Sequence, residues 1–383
     1  MNELRFTKLE VANWRNFTDV EIALAQRAFF VGPNASGKSN LLDVFRFLHD
    51  MVAIGGGFAE AVRRRGGITS LRSLAARREP DISIKAIIGT DEEPEKWTYE
   101  LVFRDLRRSK DRPPIVVKEV VSTQEEIILR RPDNEDRRDQ ARLRQTALEQ
   151  TNSNKEFREV ADFFSTIRYL HVVPQVVREP ARGTGRDDPY GGDLLERINS
   201  TSDRTKRARL KNLSRALAVA VPQLSDLELY TDSKGVPHLR AKYKHWRPQG
   251  AWQTEERFSD GTLRLLGLLW ALQEKGGPLL LEEPELSLHP DVARYVPGMI
   301  ARAQRRGGRQ TFITTHSTAL LSYEGIGLDE VHLLVPSENG TKVQTGVDLS
   351  DVRRLVDSGM PVGEAIVPKA RPIRPEQLTF LDV

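Results

Sequence analysis

The chain has 383 residues, enough for roughly two to three domains at about 150 residues each. Hydrophobic residues make up 39% and charged residues 29%, a balance that excludes an intrinsically disordered chain, and the absence of cysteine excludes disulfides, thiolate metal sites and a cysteine nucleophile. A net charge of +4 does not by itself imply nucleic-acid binding, which depends on how the basic residues cluster.

Residues 1–30 alternate apolar and polar positions on either side of 13–16, as in a two-stranded hairpin. A short apolar strand at 28–31 then enters a glycine loop at 32–39, and Leu41, Leu42, Val44, Phe45 and Leu48 give 40–49 helical spacing. Strand-like segments at 81–88, 97–103, 115–122 and 126–129 predict an antiparallel meander. The polar, arginine-rich stretch 133–155 reads as an exposed helix or a mobile loop, 157–164 resumes an apolar face, and 167–173 reads as a buried strand. Prolines and glycines mark 178–192 as a loop. A helix is predicted over 193–221, then a hairpin of 227–230 and 238–243. The last third alternates helix 262–273, strand 278–281, helix 291–303 and strand 310–314, followed by strand 331–335, an order that implies a parallel sheet with crossover helices. The longest apolar runs, around 265–272 and 279–281, are far short of the roughly 20 residues that span a bilayer. Residues 1–10 lack the apolar core of a secretory signal, so a cytoplasmic protein with no membrane partner is expected.

Four motifs carry chemistry. Gly32, Pro33, Asn34, Ala35, Ser36, Gly37, Lys38 and Ser39, followed by Asn40, match G-x-x-x-x-G-K-[ST] between a strand and a helix. Such a loop turns backbone amides toward phosphates, its lysine reaches the β and γ phosphates, and its serine hydroxyl serves Mg2+. The apolar strand 279–281 runs into Glu282 and Glu283, which places Glu282 on the metal side and Glu283 where it polarises an attacking water, although adjacent acids also start helices. Phe258-Ser-Asp-Gly-Thr262 offers the Ser259 hydroxyl and the Gly261 amide at a helix start, a site for an anion; Ser259 or Asp260 also reads as a plain N-cap. His316 ends the strand 310–314 where open α/β sheets place ligands.

The order of residues 32–39, 258–262, 279–285 and His316 resembles the Walker A, signature, Walker B and switch-histidine motifs of ABC-type ATPases. Asn13-Trp-Arg-Asn-Phe17 is similar to the N-F-R-S-F opening of the RecF, SMC and OLD group, and residues 283–290 are similar to the D-E-P-E-x-x-L-H-P run of that group's stand-alone AAA-like ATPases, as is 55–67. Specific motifs cover about the first 60 residues and 258–334. The resemblance implies an α/β P-loop NTPase head with a mixed or parallel core sheet, an antiparallel β subdomain and a helical signature lobe. It implies an ATP-binding lobe at 1–175, a helical and small-sheet lobe at 176–272, the rest of the core sheet at 273–345 and a C-terminal extension at 346–383. It further implies ATP and Mg2+ as cofactors and two heads sandwiching ATP, with Ser259 reaching the γ phosphate across the interface and residues 287–289 in the crossing loop. Lys38, Glu283 and His316 are then catalytic, Arg15 faces the nucleotide, and Ser39, Glu282 and Gln175 serve the metal. Gln175 is also simply a loop glutamine. Two departures stand out: Glu282 replaces the usual aspartate, and the signature reads Phe-Ser-Asp-Gly-Thr rather than Leu-Ser-Gly-Gly-Gln.

After 331–335 only 48 residues remain, too few for the Toprim nuclease of OLD proteins, and no heptads suggest an SMC arm. Any nuclease is therefore expected on a separate partner. Basic clusters at 63–65, 137–144 and 204–215 read either as solvated faces or as DNA-backbone contacts. The leading expectation is an ATP-dependent homodimer or larger assembly that senses DNA or a foreign component and controls an effector, in phage defence or genome maintenance. A RecF-like clamp with slow hydrolysis is the second, and a transporter's nucleotide-binding subunit the third.

Overall fold

The computed structural model describes residues 4–76, 81–106, 113–179, 188–244 and 251–371. The alternation at the start becomes a hairpin of β1 (Arg5–Trp14) and β2 (Phe17–Ala23), with Trp14 opposite Phe17. The other edge of β1 pairs with β4 (Ile82–Gly89), and β5 (Trp97–Asp105), β6 (Pro114–Ser122) and β7 (Ile127–Arg131) follow. The expected hairpin and meander are thus one antiparallel sheet, ordered β2-β1-β4-β5-β6-β7. Trp97, Tyr99, Leu101 and Phe103 alternate along β5, so the period of two puts all four on its buried face.

The second sheet holds β3 (Arg27–Val31), β8 (Arg168–Leu170), β12 (Leu279–Glu282), β13 (Thr311–Thr315), β14 (Val331–Val335) and β15 (Lys342–Thr345) in the order β15-β14-β3-β13-β12-β8. All its pairings are parallel except β14 with β15. Strand β3 is buried on both sides: Ala28 and Phe30 face a core shared with the first sheet, Phe29 and Val31 a core shared with the helical lobe. Helix Lys38–Val52 fills the space between the sheets, where Phe45 packs 4.9 Å from Phe6 and 4.7 Å from Phe312 between ring centres.

Several elements are shorter or more broken than their sequence suggests. Strand 167–173 pairs only over Arg168–Leu170, because the amides of His171 and Val173 turn away to the carbonyls of Pro189 and Tyr190. The helix expected over 193–221 is two, Leu194–Ser200 and Asp203–Ala220; Thr201 and Ser202 are extended, and the Thr201 hydroxyl donates to the Arg197 carbonyl at 2.9 Å. That expected over 291–303 divides into Pro290–Ala293 and Val296–Gly307, since Pro297 has no amide to continue the ladder. The predicted 227–243 hairpin is β9 (Leu224–Thr231) and β10 (Pro237–Tyr243), joined by β11 (Ala251–Thr254).

The polar stretch 133–155 is neither a simple exposed helix nor a simple loop. Helix Asn134–Arg138 and a 3-10 turn, Gln140–Arg144, wrap the buried Arg131, whose guanidinium lies 3.0 Å from Glu119 and 2.9 Å from Asp136. Beyond β15, Ser350–Asp357 and Val362–Ile366 bury Val352, Val362 and Ile366 in the helical lobe's core. Among the described residues no helix is long and apolar enough to cross a membrane.

Candidate nucleotide-binding site

The loop 32–39 leaves β3 and enters helix Lys38–Val52 through Gly37, whose φ of 98° is open to glycine but strained for other residues. A Cβ at Gly37 would also overlap the Asn16 side chain. The helix start has no side-chain cap and no acid in its first turn. Its amides and positive dipole end are therefore left to an external anion. Lys38 is buried, and its ammonium donates to the carbonyls of Gly32 and Pro33 at 2.9 and 3.1 Å, inside the curve of the loop. Burial pushes its pKa down, while Glu283, Glu282 and Glu285 oppose that shift.

The hairpin tip buttresses the loop. Asn16 donates to the Ser36 carbonyl at 2.9 Å and accepts from Asn40 at 2.7 Å, and Thr341 adds a second hydrogen bond to Ser36 at 3.0 Å. Arg15 donates to Asn40 at 3.1 Å and Asp43 at 2.9 Å, so it flanks the first helical turn rather than the loop itself. Asn13, Arg15, Ala35, Glu283 and Ser287 are the non-glycine residues with positive φ among the described residues, and they fall on this tip, the loop and the turn after β12. Backbone strain gathers where several elements hold it in place.

The carboxyl ends of β12 and β13 face the loop. Glu282 accepts a hydrogen bond from Ser39 on one oxygen and from the Tyr169 hydroxyl on the other, while His171 Nδ1 approaches its carbonyl at 3.3 Å. The Glu283 amide donates to the Thr314 carbonyl at 3.0 Å, and its carboxylate lies 3.1 Å from His316 Nδ1. Glu285 is buried and accepts from the Thr315 hydroxyl, and burial raises its pKa. Ser39, Glu282, Glu283, His316 and Lys38, far apart in sequence, thus share one crevice.

Residues 258–262 abut the turn that follows β12 on the same subunit. Ser259 caps helix Asp260–Ala271, accepting from the Thr262 amide at 3.3 Å, as the capping reading holds. Arg178 ties this start down through the Phe258 carbonyl at 2.8 Å and Asp260 at 2.6 Å. The Gly261 backbone presses against the Ser287 carbonyl, where a Cβ would overlap. Gln175 sits exposed on the short helix Pro174–Val177 and makes no side-chain hydrogen bond among the described residues; Tyr169 and His171 of the same segment touch Glu282 in its place. Tyr169 and His171 are the site residues that motif reading misses, while Glu285 lies inside the 279–285 motif without a role that sequence alone assigns.

The basic clusters divide. Arg63 and Arg64 pair with Glu60, Arg65 with Asp43 and Asp50, and Arg142 with Glu135 and Asp136. Arg209 turns over the Trp270 ring, 5.2 Å from its centre, whereas Arg204, Arg207, Lys211 and Arg215 stay exposed.

A glycine loop at the end of a central parallel strand, acidic strand ends beside it, an antiparallel sheet and a helical lobe give the fold of ABC- and SMC-type P-loop ATPase heads. The chain belongs to the family described as "AAA domain, putative AbiEii toxin, Type IV TA system", whose model matches residues 27–322. A comparison with curated proteins finds no match. Among solved structures it resembles an SMC head bound to the C-terminal winged-helix domain of ScpA, with a TM-score of 0.53 and 15% identity over 89% of this chain and 97% of that one. It also resembles the Pyrococcus furiosus SMC head with an extended coiled coil bound to the C-terminal domain of ScpA, with a TM-score of 0.54 and 12% identity over 93% and 100%. These likenesses establish a head fold of the SMC type.

Proposed function

We propose that the protein hydrolyses ATP with Mg2+ at residues 32–39 and that ATP joins two heads. The observation that carries this reading is the single crevice formed by Lys38, Ser39, Glu282, Glu283 and His316. The donor set fits the ions. The uncapped helix start and the Lys38 ammonium suit phosphates, while the Ser39 hydroxyl and Glu282 carboxylate would hold Mg2+ as hard oxygen ligands. Bound Mg2+ would neutralise charge on the phosphates. Glu283, held by the Thr314 carbonyl and facing His316, orients the attacking water, and His316 senses the terminal phosphate.

In the head dimer Ser259 and the Gly261 amide of one subunit close over the nucleotide on the other. Glu282 is one methylene longer than aspartate and is already engaged by Tyr169, which favours slow turnover suited to switching. The exposed row of Arg204, Arg207, Lys211 and Arg215 supports DNA as a partner, and the effector is a separate protein.

Light scattering with and without Mg-ATP tests the reading on the wild type and on Glu283→Gln, which binds but does not hydrolyse. An ATP-dependent doubling of mass in the variant is expected. Unchanged mass together with absent ATP turnover by the wild type would overturn it.

A further inference from the structure

A cavity of about 780 Å3 runs beside helix Lys38–Val52, past the edge strand β8, to the segment before β12 and the start of β13. Eight arginine or lysine side chains line it against three carboxylates. Part of this charge is settled internally: Arg65 holds Asp43 and Asp50, each at 2.9 Å. Arg46, Arg209, Lys275 and Arg309 have no carboxylate within ion-pair distance among the described residues.

Arg309 is the most telling of these. It is only 9% exposed, and its donors meet neutral carbonyls, Gly277 at 2.6 Å and Ala271 at 3.2 Å. Burial brings its pKa down to about 10, so its charged form is disfavoured where it stands. A desolvated cation is stabilised chiefly by an anion at contact, and Glu274, the carboxylate that opposes the shift, acts only from beyond ion-pair distance. The cavity's volume falls within the roughly 300–1,000 Å3 of small-ligand sites, and Tyr169 and Tyr190 add aromatic faces to its wall.

We propose that this cavity is a second anion site, separate from the glycine loop, that takes a phosphate-bearing ligand and reports on it to Glu282. The phosphate groups come from a free polyphosphorylated compound or from the end of a nucleic-acid strand. Tyr169 carries the report. The Arg46 guanidinium lies 4.2 Å from the centre of its ring, and its hydroxyl donates to Glu282. A phosphate that draws Arg46 away from the ring changes the setting of the residue that holds Glu282 beside Ser39. This rests on the proposed function only in treating residues 32–39 as the hydrolytic site.

The full-length chain carrying Lys38→Ala, which disables the glycine loop, is titrated with tripolyphosphate by calorimetry and with a 5′-phosphorylated, 3′-labelled dT12 by anisotropy. Binding is expected to survive in this background and to weaken at least about tenfold when Arg46→Glu or Lys275→Glu is added. Without Lys38→Ala, Lys275→Glu should leave the affinity for a fluorescent ATP analogue within about threefold, which also shows that the fold is intact. Tighter binding of dT12 identifies a strand end as the source, and binding of tripolyphosphate alone identifies a free compound. Loss of all binding in Lys38→Ala, or binding indifferent to both charge reversals, overturns the proposal. Failure of the wild type to bind the ATP analogue would instead refute the hydrolytic reading.

Discussion

At the scale of single residues, Gly37 and Glu119 show how local chemistry sets what the chain tolerates. Gly37→Ala forces a Cβ into the left-handed region, at about 1–2 kcal/mol, and against Asn16. The expected result is at least a tenfold loss of affinity for a fluorescent ATP analogue, because the loop amides and Asn16 move together; an unchanged titration would show that the loop absorbs the side chain. Glu119 is fully buried and accepts from Arg131, from the amides of Ala147 and Leu148 at 2.7 and 3.1 Å, and from the Tyr99 hydroxyl at 3.2 Å. Glu119→Leu leaves these donors unanswered and removes one of the counter-charges of Arg131. About 3–5 kcal/mol should disappear from the unfolding free energy in a urea titration. Neither role is visible in composition: Arg131 borders a stretch whose charges read as solvated, and only the fold turns them inward.

Among elements, the helix Phe58–Arg64 depends on Glu149, whose carboxylate accepts from the Phe58 amide where the helix offers no cap of its own. Burial raises the Glu149 pKa to about 7, against 4.5 for a free glutamate. The folded state therefore binds more protons than the unfolded one between about pH 4.5 and 7, so stability falls as pH rises through that window. Urea titrations at pH 5 and pH 8 should show the wild type losing roughly 1–3 kcal/mol more than Glu149→Gln across this range, and parallel losses would remove Glu149 as the cause. The start of helix Asp260–Ala271 is a second dependent element, since Gly261 abuts the Ser287 carbonyl. Gly261→Ala should push the two apart, lowering ATP turnover at least tenfold while changing the nucleotide affinity of the undimerised head less than threefold, because residues 32–39 of that head lie outside the contact. A steady-state assay beside an equilibrium titration separates these effects.

For the whole molecule, what the sequence discloses follows contiguity. Residues 32–39 and the ends of β12 and β13 are legible because each motif is a short run with its own strand or helix. Tyr169 is not, because its partner Glu282 is 113 residues away and its strand is three residues long. The basic run 204–215 is divided by the fold for a related reason: helical geometry sends Arg209 toward Trp270 and Arg204, Arg207, Lys211 and Arg215 to solvent, a division that charge counting cannot see. The same dependence on distant partners governs how the two sheets become one body. Gln310, 2% exposed at the start of β13, accepts from the Phe6 amide at 2.9 Å and donates to the carbonyls of Phe6 and Ala25 at 2.7 and 2.9 Å. One side chain thus clasps the antiparallel sheet to the parallel sheet across 304 residues of chain. Gln310→Leu keeps the bulk and orphans two buried backbone groups of Phe6 and the part-buried Ala25 carbonyl, at about 2–4 kcal/mol. Because the clasp ties the antiparallel sheet, whose core holds Trp14, to the parallel sheet, whose other face packs on the core of Trp270, its loss should also uncouple the two bodies. Denaturation followed through single-tryptophan variants that retain either residue is expected to give coincident midpoints with Gln310 present and separated midpoints with Gln310→Leu; coincidence in both would mean that the packing of Phe6, Phe45 and Phe312 alone couples the sheets.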